Sequence, residues 1–215
     1  MSWRRRLRAR QRGGPPLRIH VGSGAKPLEG WVNVDIQRLP EVDVVVDVTE
    51  GLPFTGAEAI YAEHFLEHLR LDQAIDFLAD AHRVLIPGGW IRISTPNLDW
   101  VWETHYATDL DREEKIQGAL RASRAFHGWG HRFLWNEETL AEALSACGFD
   151  RIRSCSFGVS ELEIFDGIER HRALRDTDSH QHVVILEAAK GERESGRLET
   201  LRDLVHRELI RYLPR

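Results

Sequence analysis

Only two cysteines, Cys147 and Cys155, and one methionine occur among 215 residues. Two thiols cannot build a disulfide framework or a four-cysteine zinc ribbon. The chain also lacks an apolar run of membrane length and any stretch patterned like a signal peptide. A reduced, cytoplasmic, soluble protein with no membrane span is the expectation. Positive charge is scarce as well, with 29 Lys and Arg against 34 Asp and Glu. Six of those cations, Arg4, Arg5, Arg6, Arg8, Arg10 and Arg12, crowd the first twelve residues, so the body is more acidic than the net charge of −5 suggests. A basic arm can hold nucleic acid or an anionic surface through phosphate contacts. Only Trp3 offers a stacking platform in it, so nucleic acid is not the expected partner, although the arm keeps RNA open.

What is present is organised around residues 17 to 26. Leu17, Ile19 and Val21 alternate as in a strand, and Gly22-Ser23-Gly24 then permits a tight turn with close backbone approach to a ligand. A nucleotide-type cofactor is seated this way, but so is an ordinary strand-ending turn. Gly13-Gly14-Pro15-Pro16 separates the arm, 1–16, from a domain over 17–190. Further strands are expected at Trp31 to Asp35, Val42 to Asp47, Glu58 to Glu63 and Trp90 to Ser94, then at Phe149 to Phe157 and His182 to Ala188. The third strand along the chain, Val42 to Asp47, is apolar enough to be buried on both faces. Leu71 to Ile86 reads as a helix stopped by Pro87-Gly88-Gly89, and Asn136 to Thr139 caps another through Leu140 and Leu144. Residues near 97–135, rich in Trp, His and charge, read as an insertion over the site with one helix near Arg112 to Arg124. The last segment, 191–215, carries an amphipathic helix with Leu198, Leu201, Leu204, Val205, Leu209 and Leu213 on one stripe, which either docks on its own domain or makes a homodimer contact.

In order and spacing, the stretches Val-Gly-Ser-Gly-Ala-Lys-Pro, Gly-Trp-Val-Asn-Val-Asp, Asp-Val-Thr-Glu-Gly-Leu-Pro-Phe, Tyr-Ala-Glu-His-Phe-Leu-Glu-His-Leu and Arg-Val-Leu-Ile-Pro-Gly-Gly resemble a class I S-adenosylmethionine-dependent methyltransferase, of the short bacterial type with uncertain substrate. The resemblance covers Leu17 to about Lys190. It implies an α/β fold, a three-layer Rossmann-like sheet that is mostly parallel. Only ten residues, Gly22 to Trp31, and six, Ile36 to Glu41, join the first three strands, so the first crossovers must be shortened.

For S-adenosylmethionine the resemblance implies that the backbone of Gly22, Ser23, Gly24 and Ala25 faces the cofactor's carboxylate. Asp35, ending the second strand, then takes the ribose diol, because a carboxylate accepts two hydrogen bonds. Asp47 matches the adenine-side acid, with Leu52 and Phe54 packing the ring. As alternatives, Asp35 starts a turn and Asp47 caps Thr49-Glu50. The chain departs from the family at His20, where an acid is usual, and at Lys26, a small position. The missing contact to the cofactor's ammonium would then come from Glu63 or a carbonyl.

Glu63 and His64 are expected near the methyl group, with Glu67 and His68 at the helix start. His64-Phe-Leu-Glu-His68 also fits the His-x-x-Glu-His pattern of zinc peptidases. That rival needs a long helix and a third ligand, neither of which the sequence offers, so no metal is expected. His127-Gly-Trp-Gly-His131, with Trp129 and Trp135, reads either as a glycine-flanked lid that binds the acceptor or as plain structural packing. The catalytic candidates are therefore His64, His131 and Glu63. The expected reaction is methyl transfer to a polar small molecule such as a sugar, nucleotide-linked sugar or other metabolite. A non-catalytic S-adenosylmethionine-binding subunit or sensor is the alternative, suggested by His20.

Overall fold

The computed structural model describes residues 16–106, 111–171, 174–192 and 196–213. The basic arm, except for Pro16, lies outside them. Seven strands form one sheet: β1 (Leu17–Val21), β2 (Val32–Asp35), β3 (Val44–Val45), β4 (Ala57–Glu63), β5 (Leu85–Pro96), β6 (Phe149–Ser154) and β7 (Val183–Lys190). Their order is β3-β2-β1-β4-β5-β7-β6. The pairings from β3 to β5 are all parallel, and β7 runs antiparallel to both its neighbours. The helices are α1 (Leu71–Val84), α2 (Leu98–His105), α3 (Arg112–His127), α4 (Glu137–Ala146) and α5 (Arg197–Glu208). No helix among the described residues is long and apolar enough to cross a membrane.

The α/β class is as the sequence predicts, and the shortened first crossovers are there: no helix joins β1 to β2 or β2 to β3. Their consequence is an asymmetric molecule. Alternate residues of β4 separate two cores, Ile60 and Ala62 facing one side, Ala59 and Tyr61 the other. On the first side Ile75 and Leu78 of α1, Leu140 and Leu144 of α4, and Leu198 and Val205 of α5 bury against the sheet. On the second side no described helix contributes; Leu28, Trp31, Phe165 and Ile168 cover the strands from loops. The third layer is thus made of loops, because ten residues cannot hold both a crossover and a helix.

Several elements differ from the sequence reading. The third strand shrinks to Val44–Val45 because it lies at the sheet edge, and Val45 is 41% exposed rather than buried on both faces. Helix α1 ends at Val84, before Pro87-Gly88-Gly89, and those residues form an irregular stretch of β5 where the register jumps from Ala57↔Leu85 to Ala59↔Trp90. A Cβ at Gly89 would lie 3.0 Å from the Glu58 carbonyl oxygen, which explains a small residue in a buried ladder. Finally α2 was not expected; Asn97 caps it by accepting the Asp99 N–H at 2.9 Å.

The C-terminal helix docks on its own domain. Val205 is 7% exposed, and Arg202 to Asp76 (2.6 Å) and Arg197 to Glu142 (3.0 Å) tie it to α1 and α4. Leu204 and Leu213 of the expected stripe stay exposed.

Candidate active site

The parallel strands β1, β2, β4 and β5 end at one edge of the sheet, and ligands of open α/β folds sit outside such carboxyl ends. The antiparallel β7 begins at this same edge, pairing Val183 with Pro96.

On the β1–β2 side the glycine turn is closed onto β2. Gly22 has φ 70°, and a Cβ there would meet Phe65 Cδ2 at 2.7 Å. The turn therefore requires glycine for both backbone shape and space. The Gly22 and Ser23 amides donate to the Val34 carbonyl (2.8 and 3.1 Å), and the Gly24 amide donates to Asp35 Oδ2 (2.9 Å). The N–H groups of Gly22, Ser23 and Gly24, expected as carboxylate donors, thus have acceptors within the protein, and Ala25 is exposed at the tip of the turn.

Asp35 is half-buried at the end of β2, with Oδ1 accepting the Gln37 amide at 2.8 Å. Each of its oxygens keeps a lone pair. Beside it the Ser23 hydroxyl is buried without a hydrogen-bond partner among the described residues. A half-open carboxylate next to an orphaned hydroxyl fits a ligand rich in hydroxyl groups. Asp47 is likewise half-buried, but its Oδ1 accepts both the Thr49 amide and hydroxyl (2.9 and 2.7 Å). Those bonds hold its pKa below the usual aspartate value. The capping alternative is the one seen. Leu52 and Phe54 are each 3% exposed in the main core, so they have no open face for a ring. The reason is local: Leu52 donates its amide to Asp80 of α1 at 2.6 Å, which turns the side chain inward.

His20 is 3% exposed, its Nδ1 lies 3.1 Å from Asn33 Oδ1, and its ring packs on Tyr61. Burial drops its pKa to about 4 against the upward pull of Asn33, so the ring is neutral at pH 7. Glu63, expected among the catalytic groups, is instead a fixed anion. Its carboxylate accepts the amides of Arg170 and His171 and lies 3.0 Å from His171 Nδ1. Burial alone would raise its pKa, but these donors outweigh it and hold the value at about 2. A carboxylate so weakly basic takes no proton from an acceptor near neutral pH.

On the β4–β5 side lies a cavity of about 490 Å³. Its walls carry His64, His68, His105, His131, His171 and His182 together with Arg121 and Arg124, and Glu67 is the one carboxylate among the described lining residues. His64 (φ 47°) and Trp129 (φ 57°) hold left-handed backbone here, a strain that clusters at working sites. Trp129, 71% exposed between two glycines, forms part of this wall as a lid would, whereas Trp135 is fully buried core. Glu67 and His68 do not hold the start of α1. They lie in a single 3-10 turn, Leu66–His68, which also removes the helix that a zinc peptidase motif needs.

The sequence reading missed His182. It is 6% exposed, and its Nδ1 lies 2.7 Å from Asp176 Oδ1, which also accepts the His182 amide at 2.8 Å. Burial pushes the Asp176 pKa up, but the hydrogen bonds from His182 outweigh it and the value is lowered. Nδ1 is therefore the protonated nitrogen, and Nε2 is a basic lone pair, buried without a partner among the described residues.

A sequence family described as a methyltransferase domain matches residues 22–154, more than half of the chain. The chain belongs to this methyltransferase family. Its methyltransferase domain is built on a Rossmann-like fold. Solved structures agree on the fold. A SAM-dependent methyltransferase from Archaeoglobus fulgidus has TM-score 0.53 and 17% identity, over 86% of this chain and 92% of that one. A 1,6-didemethyltoxoflavin-N1-methyltransferase from Burkholderia thailandensis, solved with bound 1,6-didemethyltoxoflavin and S-adenosylhomocysteine, has TM-score 0.51 and 18% identity, over 87% and 76%. A Thermotoga maritima SAM-dependent methyltransferase described as a possible histamine N-methyltransferase has TM-score 0.50 and 18% identity, over 86% and 87%. No curated protein matches the sequence. The family match stops at residue 154, so Asp176 and His182 lie outside it.

The resemblance puts Asp35 at the cofactor's ribose, and this has a direct test. Asp35→Ala is expected to weaken S-adenosylhomocysteine binding at least tenfold, since an unpaired buried hydroxyl costs about 1–3 kcal/mol. Calorimetry on the variant, with circular dichroism to verify folding, decides it. An unchanged dissociation constant would place the ribose elsewhere.

Proposed function

We propose that this methyltransferase acts on a small polar acceptor bearing a carboxylate or phosphate, such as an acidic or nucleotide-linked sugar. The acceptor enters the cavity between α2, α3 and the β4–β5 edge. The observation that carries this reading is the charge in the walls: among the described lining residues two arginines, Arg121 and Arg124, stand against one buried carboxylate, Glu67. Arg121 adds a buried Nε without a partner among the described residues. An anionic oxygen is a fitting partner for such a donor. The volume supports a small molecule, since ligand pockets span roughly 300–1,000 Å³.

S-adenosylmethionine supplies an electrophilic methyl group when bound. This chain's own part is to hold the acceptor in line with it and to accept the proton that a hydroxyl or amine releases. His182 Nε2 is suited to that proton, with Asp176 balancing the charge that the ring acquires.

The test is transfer of labelled methyl from S-adenosylmethionine to a panel of uronic acids, sugar phosphates and nucleotide-sugars beside their neutral counterparts. Transfer is expected to the anionic members. Arg121→Ala should raise KM for them at least tenfold and change kcat less. Methylation of neutral sugars alone, or an Arg121→Ala enzyme with unaltered KM, would remove this acceptor class.

A further inference from the structure

The sequence places Glu67 beside His68, and the fold brings a third ligand, His131, to them. Ligand atoms of Glu67, His68 and His131 all lie within 4.8 Å of one another on the cavity wall. We propose that these three side chains bind a divalent first-row transition-metal ion, with its remaining coordination positions facing the cavity.

Each ligand is already oriented. His131 Nδ1 lies 2.8 Å from the Ala125 carbonyl oxygen. A carbonyl only accepts, so Nδ1 carries the proton and Nε2 presents its lone pair. A metal-binding imidazole typically donates its second nitrogen in this way. Glu67 is fully buried, and its hydrogen-bond partners among the described residues are Thr95 Oγ1 (2.9 Å) and His64 Nδ1 (3.2 Å). Neither is a fixed cation, and a buried carboxylate calls for one. The rings of His68 and His131 meet edge to face at 5.3 Å between centroids.

The backbone also makes the site. The Glu67 carbonyl accepts the amides of Arg132 (2.7 Å) and Phe133 (3.3 Å), which pins the segment carrying His131 onto the turn carrying His68. Ligands around a tetrahedral or octahedral ion stand about 3.0–3.4 Å apart at metal distances near 2.1 Å. Rotation of the rings closes the difference, because His68 is exposed and His131 half-buried. Two imidazoles with one carboxylate suit zinc, iron, cobalt or manganese rather than magnesium or calcium. Completion of the shell by an acceptor oxygen would rest on the acceptor reading above; the metal binding does not.

The experiment is a Co²⁺ titration of chelator-treated full-length protein, followed by visible absorption and calorimetry without cofactor or acceptor. One Co²⁺ per chain with low-coordinate bands is expected. His68→Ala and His131→Ala should each weaken binding at least tenfold at unchanged melting temperature. His105→Ala, on the same wall but outside the triad, should leave affinity unchanged. Glu67→Gln is the more perturbing variant, so the two histidine variants carry the decision. Absence of stoichiometric Co²⁺ binding, or equal affinity in wild type and His131→Ala, would overturn the proposal.

Discussion

His182→Ala is expected to lower turnover on the true acceptor by about 10² to 10⁴, the usual contribution of a positioned general base. The affinity for S-adenosylhomocysteine should stay within about twofold. The expectation rests on the geometry of one ring. Asp176 at 2.7 Å fixes which nitrogen bears the proton, and Trp100 and Phe157 pack around the imidazole. Nothing among the described residues competes for Nε2. Asp176→Asn tests the same idea from the other side, because an amide can donate to Nδ1 and stabilise the wrong tautomer. It should lose activity with little change in melting temperature. Wild-type kcat in His182→Ala would return the proton to His64 or His131.

The largest effect on stability is expected from Arg92. Its guanidinium is fully buried on β5 between Glu169 (2.7 Å) and Glu187 (2.5 Å). The carbonyls of Val159 and Ser156 accept from it as well, at 3.2 and 3.3 Å. Arg92→Ala leaves two buried carboxylates near each other with one cation, Arg153, remaining on Glu187. Breaking such a buried group by removing one partner costs about 3–5 kcal/mol. At this chain length that corresponds to a melting temperature lower by roughly 10 °C. The loop that Glu169 anchors continues into Arg170 and His171, whose amides hold Glu63. Weaker cofactor binding should therefore accompany the loss. Arg92→Met combined with Glu169→Gln should recover part of the stability, since it removes a stranded charge. Urea unfolding of the single and double variants measures both; a loss under about 1 kcal/mol for Arg92→Ala would mean that solvent relaxes the network.

Much of the sheet was legible because its inner strands obey a period-two pattern that burial enforces. Leu17, Ile19 and Val21 alternate and are buried in the main core, and the helix from Leu71 carries its apolar stripe in the spacing of its residues alone. The pattern misled at Val42 to Asp47, where apolar residues imply burial on both faces but a sheet edge leaves one side without a partner strand. It also missed α2, whose eight residues bury only Val101 and so show little periodicity. At the site, the sequence names Asp35, His64 and His131 but not what surrounds them: long-range partners decide that, as Asp80 engages the Leu52 amide and the 170–171 amides engage the Glu63 carboxylate.

The sequence by itself determined the class, the family and the order of the parallel strands' loops, since local turn chemistry and periodicity act between near neighbours. Only the tertiary structure decided the chemistry of the cavity. His182 lies beyond the last family-matched residue and looks like the first residue of a strand, yet antiparallel β7 starts at the edge where the parallel strands end. That reversal sets it in the same cavity wall as His64 and Arg121, with Asp176 behind it. His131 likewise meets His68, far away in the chain, through two amides on the Glu67 carbonyl. Such encounters depend on strand direction and on long-range backbone bonds, which no local pattern in the chain encodes.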